Sequence, residues 1–305
     1  MVRVLVTGVT GLLGRYLVLG RPKGFQVQGI SRGNWPRALD DECSVQQVDL
    51  TSRDALDEAL ATLSPDAIVH CAAEGRVDVV QGDPGSFLDI NVDVTRQLAE
   101  YCSQQGIGFV FVSSNAVFSG DADRPYGDHA GVDPINEYGR LKVLAETAVF
   151  DVAPHALVVR PILMYGWPFD GQRRNPVVAW IEALRKGQVI RVVDDVYTEP
   201  LAAWDAAAAI WAGLTRGVSG PVNLSGGQEI SLFELARRAA FHFDLSDEDI
   251  IRVASDAFPG LAPRPRRTSF SLDRLRDELG IAPVGIDDGL RELASTEATL
   301  RGSVR

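Results

Sequence analysis

Tyr138 and Lys142 stand four residues apart in NEYGRLKVLAE, a stretch that reads as helix, so phenol and ammonium share one helix face. A cation held there stabilises the phenolate and lowers the barrier to proton release. The residue type matters as much as the spacing. Of 30 basic side chains only Lys23, Lys142 and Lys186 are lysines, and a compact ammonium with rotatable donors is not replaced by a guanidinium. A second group of residues speaks for an anion. VLVTGVTGLLG places Gly8, Gly11 and Gly14 where a β-branched run gives way to a helical one. Glycine there permits a tight turn, lets backbone N–H groups approach a pyrophosphate, and puts that charge at a helix N-terminus. The position predicts a dinucleotide site more strongly than the glycines alone. Two adjacent hydroxyls, Ser113 and Ser114, close the apolar run FVFVS. At the end of the second apolar run, Gly29-Ile30-Ser31-Arg32 offers a hydroxyl and a guanidinium where a carboxylate would hold the ribose hydroxyls of NAD. That choice favours a 2′-phosphate, hence NADP, with NAD as the alternative.

The elements that must position these groups alternate in period. Strands are predicted at 2–6, 25–30, 45–48, 67–71, 109–113 and 156–159, and helices at 11–19, 51–63, 87–104 and 136–149. Strands separated by helices mean right-handed crossovers and a parallel sheet covered on both faces, an α/β doubly wound fold of Rossmann type. Beyond Arg160-Pro161 the pattern is interrupted by Gly166, Pro168, Gly171 and Pro176. The division predicted is a dinucleotide-binding domain over 1–165 and a smaller α/β, mainly substrate-binding domain over 166–305, with about 189–226 returning to the first. Within the second part, strands are expected at 189–193 and 221–224 and helices at 202–214 and 231–243, the last opened by a Ser231/Glu234 capping box.

Composition bounds what the site serves. The chain has 305 residues, 46% apolar and 23% charged, which is ordinary globular composition. Its formal charge of −11 is the wrong sign for a protein whose main partner is nucleic acid. No apolar run approaches the ~20 residues of a membrane span, and Met1 leads directly into a strand pattern, so a cytoplasmic protein without a membrane partner is expected. Cys43, Cys71 and Cys102 have neither paired spacing nor a histidine pattern, which predicts reduced, partly buried thiols and no metal site. His129, His155 and His242 have no recognisable partner spacing and are expected at the surface or in packing.

These motifs together resemble the extended short-chain dehydrogenase/reductase family: the GxxGxxG loop, the YxxxK of Tyr138 and Lys142, and the hydroxyl after the fifth strand. In that pattern the second of the two serine positions is the catalytic one, which selects Ser114. The resemblance implies a reductase in which Tyr138 delivers the proton to a substrate carbonyl oxygen, Ser114 hydrogen-bonds that oxygen, and Lys142 holds the cofactor ribose and tunes Tyr138. It further implies cofactor contacts from Gly8, Thr10, Gly11, Leu12, Leu13 and Gly14, from Ser31 and Arg32, from Asp49 and Leu50 beside the adenine, from Cys71, Ala72 and Ala73, from Asn91, and from Ser113, Tyr138, Lys142 and Pro161. Cys71 and its neighbour His70 are as readily explained by packing.

Within the family the chain is most similar to the branch holding dTDP-4-dehydrorhamnose reductases and the regulatory β subunit of methionine adenosyltransferase. VFSG at 117–120, PINEYGRLK at 134–142, VDDVYTEP at 193–200 and RPRRTSFSLDRLRDELGI at 264–281 carry that similarity. It implies an NADPH-dependent reductase of a nucleotide-linked 4-keto-6-deoxy sugar, with substrate contacts from Ser114, Asn115, Tyr138, Asn175, Arg264 and Arg266. Arg173, Arg174 and Arg267 are further candidates to clamp a diphosphate. Other readings stay open: an NADP-binding regulatory subunit acting through a protein partner, suggested by LVTGVTGLLGR, IVHCAAEGRVDVV and RPILMYG, or a nucleotide-sugar epimerase. A homodimer is a further expectation. Three departures bear on the sugar: Asn115-Ala116 stands where the rhamnose-pathway reductases commonly have Asp-Tyr, Leu163 where they often have tryptophan, and Arg15 where some carry a glutamate used in metal-bridged dimers. Asn115-Ala116 also disfavours a 4,6-dehydratase, whose acid and base carboxylates should follow the hydroxyl.

Overall fold

The computed structural model describes residues 1–33, 35 and 42–302. Its first half winds a parallel sheet from β1 (Val2–Thr7), β2 (Phe25–Ser31), β3 (Cys43–Gln47), β4 (Ala67–His70), β5 (Gly108–Val112) and β6 (Leu157–Pro161). The crossovers carry α1 (Leu12–Leu19), α2 (Arg53–Leu63), α3 (Val77–Gly82), α4 (Val94–Gln105) and α5 (Glu137–Val152). The inner strands β4, β5 and β6 are buried along nearly their whole length on both faces, whereas the edge strand β3 carries Ser44, Gln46 and Gln47. Val4, Val6, Val69 and Val110 join one core with α1, while Leu5, Ile68, Phe109 and Phe111 join the other with α2, α4 and α5.

The second half adds β7 (Met164–Tyr165), α6 (Pro176–Arg185), β8 (Ile190–Val193), β9 (Tyr197–Thr198), β10 (Leu201–Ala202), α7 (Ala203–Arg216), β11 (Gly220–Leu224), β12 (Ile230–Ser231), α8 (Leu232–His242), β13 (Ile250–Val253), α9 (Asp273–Asp277) and α10 (Ile286–Gly302). β11 pairs parallel with β6, completing a seven-stranded order β11-β6-β5-β4-β1-β2-β3. The chain reverses its direction of winding between β1 and β4, and the crevice beyond their carboxyl ends is where such sheets take ligands. α7 lies on the α1 face, where Trp211 Nε1 donates to Leu17 O at 3.1 Å. The segment 189–226 therefore divides. β8 pairs with β13, away from the large sheet, whereas α7 and β11 lie with the sheet of the first half. α6, α8 and α10 pack a separate core around Trp167, Ile181, Leu235 and Leu290.

Three expectations change in detail. The helix read over 87–104 is broken into a short turn at Gly85–Phe87, a wide turn at Asp89–Asp93 and α4, and α3 precedes it unforeseen. The wide turn contains Asn91, whose buried side chain is committed outside the helix. Ser231 Oγ accepts from Glu234 N at 3.2 Å, but its own proton goes to Asp194 Oδ1 at 2.5 Å, and the Glu234 carboxylate meets Arg237 and Arg238, leaving half a capping box. His242 does have a partner: its Nε2 lies 3.0 Å from Asp287 Oδ1, on an element 45 residues away that local spacing cannot reveal.

Candidate active site

The glycine loop is shaped by two close approaches. Gly8 has φ +66°, a left-handed conformation that favours glycine, and a Cβ there would stand 2.8 Å from Ala72 N. A Cβ on Gly14 would stand 2.6 Å from Gly8 O and from Val9 Cα, so α1 starts directly against the loop. Gly11, by contrast, is exposed, and its nearest obstacle would be Gly8 O at 3.2 Å. The loop thus leaves a shallow backbone cradle at the start of α1, which has neither a side-chain cap nor an acidic residue in its first turn. Such an end suits a bound phosphate.

Opposite the cradle, α5 is set by Asn136. Its Oδ1 accepts from Gly139 N at 2.8 Å and its Nδ2 donates to Pro263 O at 2.9 Å, capping the helix and tying it to the second half. Gly139 is obligatory because a Cβ would meet Ala116 O at 2.1 Å. That contact lays the first turn of α5 on the 115–117 turn and brings Tyr138 over Ser114. Burial pushes the Tyr138 phenol up to about 12, with a hydrogen bond to Ser114 and the Arg173 charge pulling the other way. Ser114 Oγ accepts from Ala116 N at 3.2 Å.

Lys142 is 3% exposed, and its Nζ donates to Val112 O at 2.8 Å while lying 4.8 Å above the Phe111 ring and 5.8 Å from that of Tyr138. Burial pushes it down to about 8. One turn further on, Glu146 accepts from Ser113 Oγ at 2.5 Å and takes both arms of Arg160, at 2.9 and 2.6 Å. Arg160 also donates to Asp128 O at 2.9 Å. This buried pair locks the ends of β5 and β6 under the site. Spacing offered a signal for it, since Glu146 follows Lys142 by four residues on one helix face. Asn136 before Glu137 was equally readable as a cap.

A cavity of about 610 Å³ brings these groups together. Gly8, Gly11, Leu12, Leu13, Gly14, Cys71, Ala73, Ser113, Ser114, Asn115, Tyr138, Lys142 and Pro161 line it, with Asn175, Arg173, Arg174 and Arg264 on the same walls. Other expected residues lie outside that lining. Thr10 Oγ1 and Ser31 Oγ meet at 2.8 Å, and Ser31 also accepts from Gly33 N, so both shape the edge of the loop. Arg32 is exposed and, among the described residues, has no ion pair. Asp49 turns back to Thr51, accepting from its N at 3.0 Å and its Oγ1 at 2.8 Å, while Leu50 is buried in the core.

Three of the expected ligand residues have partners or places of their own in the fold. Asn91 is 1% exposed, with its Oδ1 accepting from Glu74 N at 2.8 Å and its Nδ2 donating to Glu74 O at 3.2 Å, so both ends of the amide hold the loop after β4, and the residue lies outside the cavity lining. Asn175 caps α6, its Oδ1 accepting from Val178 N and its Nδ2 donating to Gly166 O at 2.6 Å. Arg266 lines a different groove, with Asp194, Asp195 and Arg252, and Arg267 is there too, paired with Glu229 at 2.9 Å. Arg174 is paired with Glu182 at 3.2 Å. Arg173, which donates to Gly75 O at 3.0 Å, and Arg264, which is paired with Asp78 at 2.9 Å, line the cavity along with Arg174.

His70, beside Cys71, is a structural residue. Its Nδ1 lies 2.7 Å from Thr7 Oγ1 and its Nε2 lies 3.1 Å from Thr95 Oγ1, which donates to Asn91 O. Ala72 N donates to Thr7 Oγ1 at 3.3 Å. One direction of donation satisfies every group: Ala72 to Thr7, Thr7 to His70, His70 to Thr95, Thr95 to Asn91. The imidazole is therefore neutral with its proton on Nε2, and burial pushes it down to about 3. Cys71 is likewise pushed up to about 12 by burial, and all three cysteines are free thiols. No cluster of His, Cys, Asp and Glu able to hold a metal, and no helix long and apolar enough to cross a membrane, occurs among the described residues.

Against known proteins, the RmlD substrate binding domain family matches residues 2–298. The chain is 33% identical to the dTDP-4-keto-6-deoxy-D-glucose reductase of Streptomyces niveus, over 92% of each chain. It is 28% identical to methionine adenosyltransferase 2 subunit beta of Bos taurus, over 94% of this chain and 87% of that protein. Among solved structures, a dTDP-4-dehydrorhamnose reductase from Bacillus anthracis in complex with NADP superimposes with a TM-score of 0.85 at 23% identity, covering 97% of this chain and all of that one. At that identity the likeness is one of fold.

Proposed function

Because this chain belongs to the RmlD substrate binding domain family, we propose that it is an NADPH-dependent reductase of a nucleotide-linked 4-keto-6-deoxy sugar. The observation that carries this reading is the meeting of Ser114, Tyr138 and Lys142 with the glycine cradle in one cavity. The residues fit a dinucleotide: an uncapped helix N-terminus, an exposed Gly11, a buried ammonium and an exposed Arg32 beside Ser31. When bound, NADPH supplies the hydride. Gly8, Gly11 and Gly14 would hold its pyrophosphate, Ser31 and Arg32 its 2′-phosphate, and Lys142 its nicotinamide ribose.

Tyr138 would deliver its proton to the carbonyl oxygen as the alkoxide develops, with Ser114 Oγ donating to the same oxygen. A phenol raised to about 12 stays protonated across the working range, and the adjacent ammonium offsets the cost of its anion. Arg173 and Arg264 would take the substrate diphosphate, Arg173 exchanging the neutral Gly75 carbonyl for a charge-assisted bond and Arg264 turning donors of its fork from Asp78 to the phosphate. The split between a dinucleotide-binding part, 1–165, and a mainly substrate-binding part, 166–305, belongs to the same proposal. So does a cytoplasmic setting.

The regulatory reading has an observation of its own, the similarity to methionine adenosyltransferase 2 subunit beta along nearly the whole chain. The two separate in one assay: NADPH oxidation followed by its absorbance with a panel of nucleotide-linked 4-keto sugars. A reductase turns over at least one of them, whereas a protein acting only through a partner binds NADPH and turns over none.

A further inference from the structure

Most buried hydroxyls in this fold are spent on a partner, as Thr7 and Thr95 are on His70 and Ser113 is on Glu146. Thr268 is different. It is 2% exposed, its Oγ1 is buried without a hydrogen-bond partner, and the residue lines the large cavity. A buried hydroxyl with nothing to bond is costly, and native folds keep few of them without a use. Slack in the chain does not explain it. The backbone around Thr268 is held on both sides, with Tyr197 N donating to Arg266 O at 2.7 Å and Tyr126 N donating to Ser269 O at 2.8 Å. Val196, Leu232 and Pro265 line the cavity as well, an apolar neighbourhood that suits an uncharged group better than a phosphate.

We propose that Thr268 is a substrate-recognition residue whose Oγ1 hydrogen-bonds an uncharged polar group, a hydroxyl or a carbonyl oxygen, of a bound nucleotide sugar. The proposal rests on the nucleotide-sugar reading above and assigns it a specific contact. Free protein leaves the hydroxyl unsatisfied; bound ligand satisfies it, so the contact discriminates against any ligand lacking that group. Base and sugar both carry such groups, and the test distinguishes them.

Calorimetric titration of the parent, Thr268→Val and Thr268→Ser with dTDP and with dTDP-glucose, in the presence of NADPH, decides the matter. Thr268→Val keeps the shape and removes the hydroxyl. It should weaken dTDP-glucose about tenfold, leave NADPH affinity alone, and melt at or above the parent temperature because an unsatisfied polar atom has been removed. Thr268→Ser should keep the parent affinity. A matching loss with dTDP assigns the contact to the nucleotide, and a loss confined to dTDP-glucose assigns it to the sugar. Unchanged binding of both ligands by the valine variant would overturn the proposal. So would a lower melting temperature that serine restores, which marks a structural hydroxyl. A parent that binds dTDP-glucose yet reduces no 4-keto sugar contradicts the reductase reading alone, and one that binds neither nucleotide contradicts both.

Discussion

A buried ammonium needs acceptors, and Lys142 has one in the protein, the Val112 carbonyl at 2.8 Å, which leaves donors to spare on the cavity side. Glu146 is near enough to favour the charge without touching it, since its oxygens are taken by Ser113 and Arg160. The ammonium is therefore available to a ligand. This much followed from the rarity of lysine and its spacing from Tyr138. The commitments of Asn91 and Asn175 did not, because a side chain that holds a distant loop looks in sequence like one that faces a ligand. Arg32 tests the cofactor at the same scale. It is exposed and without an ion pair among the described residues, so Arg32→Ala costs the fold little. It should weaken NADPH by on the order of tenfold or more while NADH changes little, since only NADPH has a 2′-phosphate to lose. Fluorescence titration with both dinucleotides measures this, and equal losses would make Arg32 a general electrostatic contributor.

Among the elements, the first βα unit separates two roles for glycine. Gly14 packs α1 against Gly8 and Val9, so Gly14→Ala should lower stability by about 1–3 kcal/mol through overpacking, visible in chemical denaturation. Gly11→Ala should leave the midpoint near that of the parent and weaken NADPH, because its Cβ enters the cradle and not the core. The reverse pattern would displace the pyrophosphate from this loop. β4 carries a second test in His70, which stays neutral to about 3 in the fold but protonates near 6.5 when unfolded. Between those values the unfolded state binds the extra proton, so stability falls as pH falls from about 6.5 toward 3 and is fully present above 6.5. His70→Asn removes that proton. From pH 6 to 4 the parent should lose up to about 1.4 kcal/mol more per pH unit than the variant; parallel curves would show that the imidazole is charged in the fold. The inner strands of the first half were legible because burial on both faces makes apolar runs such as Phe109 to Val112 continuous. The broken helix at 85–105 was not, because its wide turn answers to a side chain gripping Glu74, a contact 17 residues back.

The molecule as a whole joins two parts that sequence reading treated unequally. Short strands such as β7, β9 and β12, of two residues each, give no periodicity to read, and α6, α8 and α10 find their core in one another and in distant residues such as Tyr165 and Trp167. The tie between the parts was visible only as a departure. Arg15, read in the sequence as a departure from the family pattern, is 2% exposed and donates to Trp167 O at 3.2 Å, Pro168 O at 2.6 Å and Leu300 O at 2.5 Å, stitching α1 to the end of α10. On the proposed reading, a chain of net charge −11 would meet an anionic substrate through a few local cations, Arg173 and Arg264, which line the same cavity as Lys142. The claim that this meeting place is a reductase site comes down to one oxygen atom. Steady-state NADPH oxidation with dTDP-4-dehydrorhamnose, compared between the parent and Tyr138→Phe, tests it most directly, since phenylalanine keeps the ring and removes the proton. The account predicts turnover by the parent and a fall of roughly 10²–10⁴ in kcat for the variant, with NADPH affinity little changed. Full activity in the phenylalanine variant would contradict it.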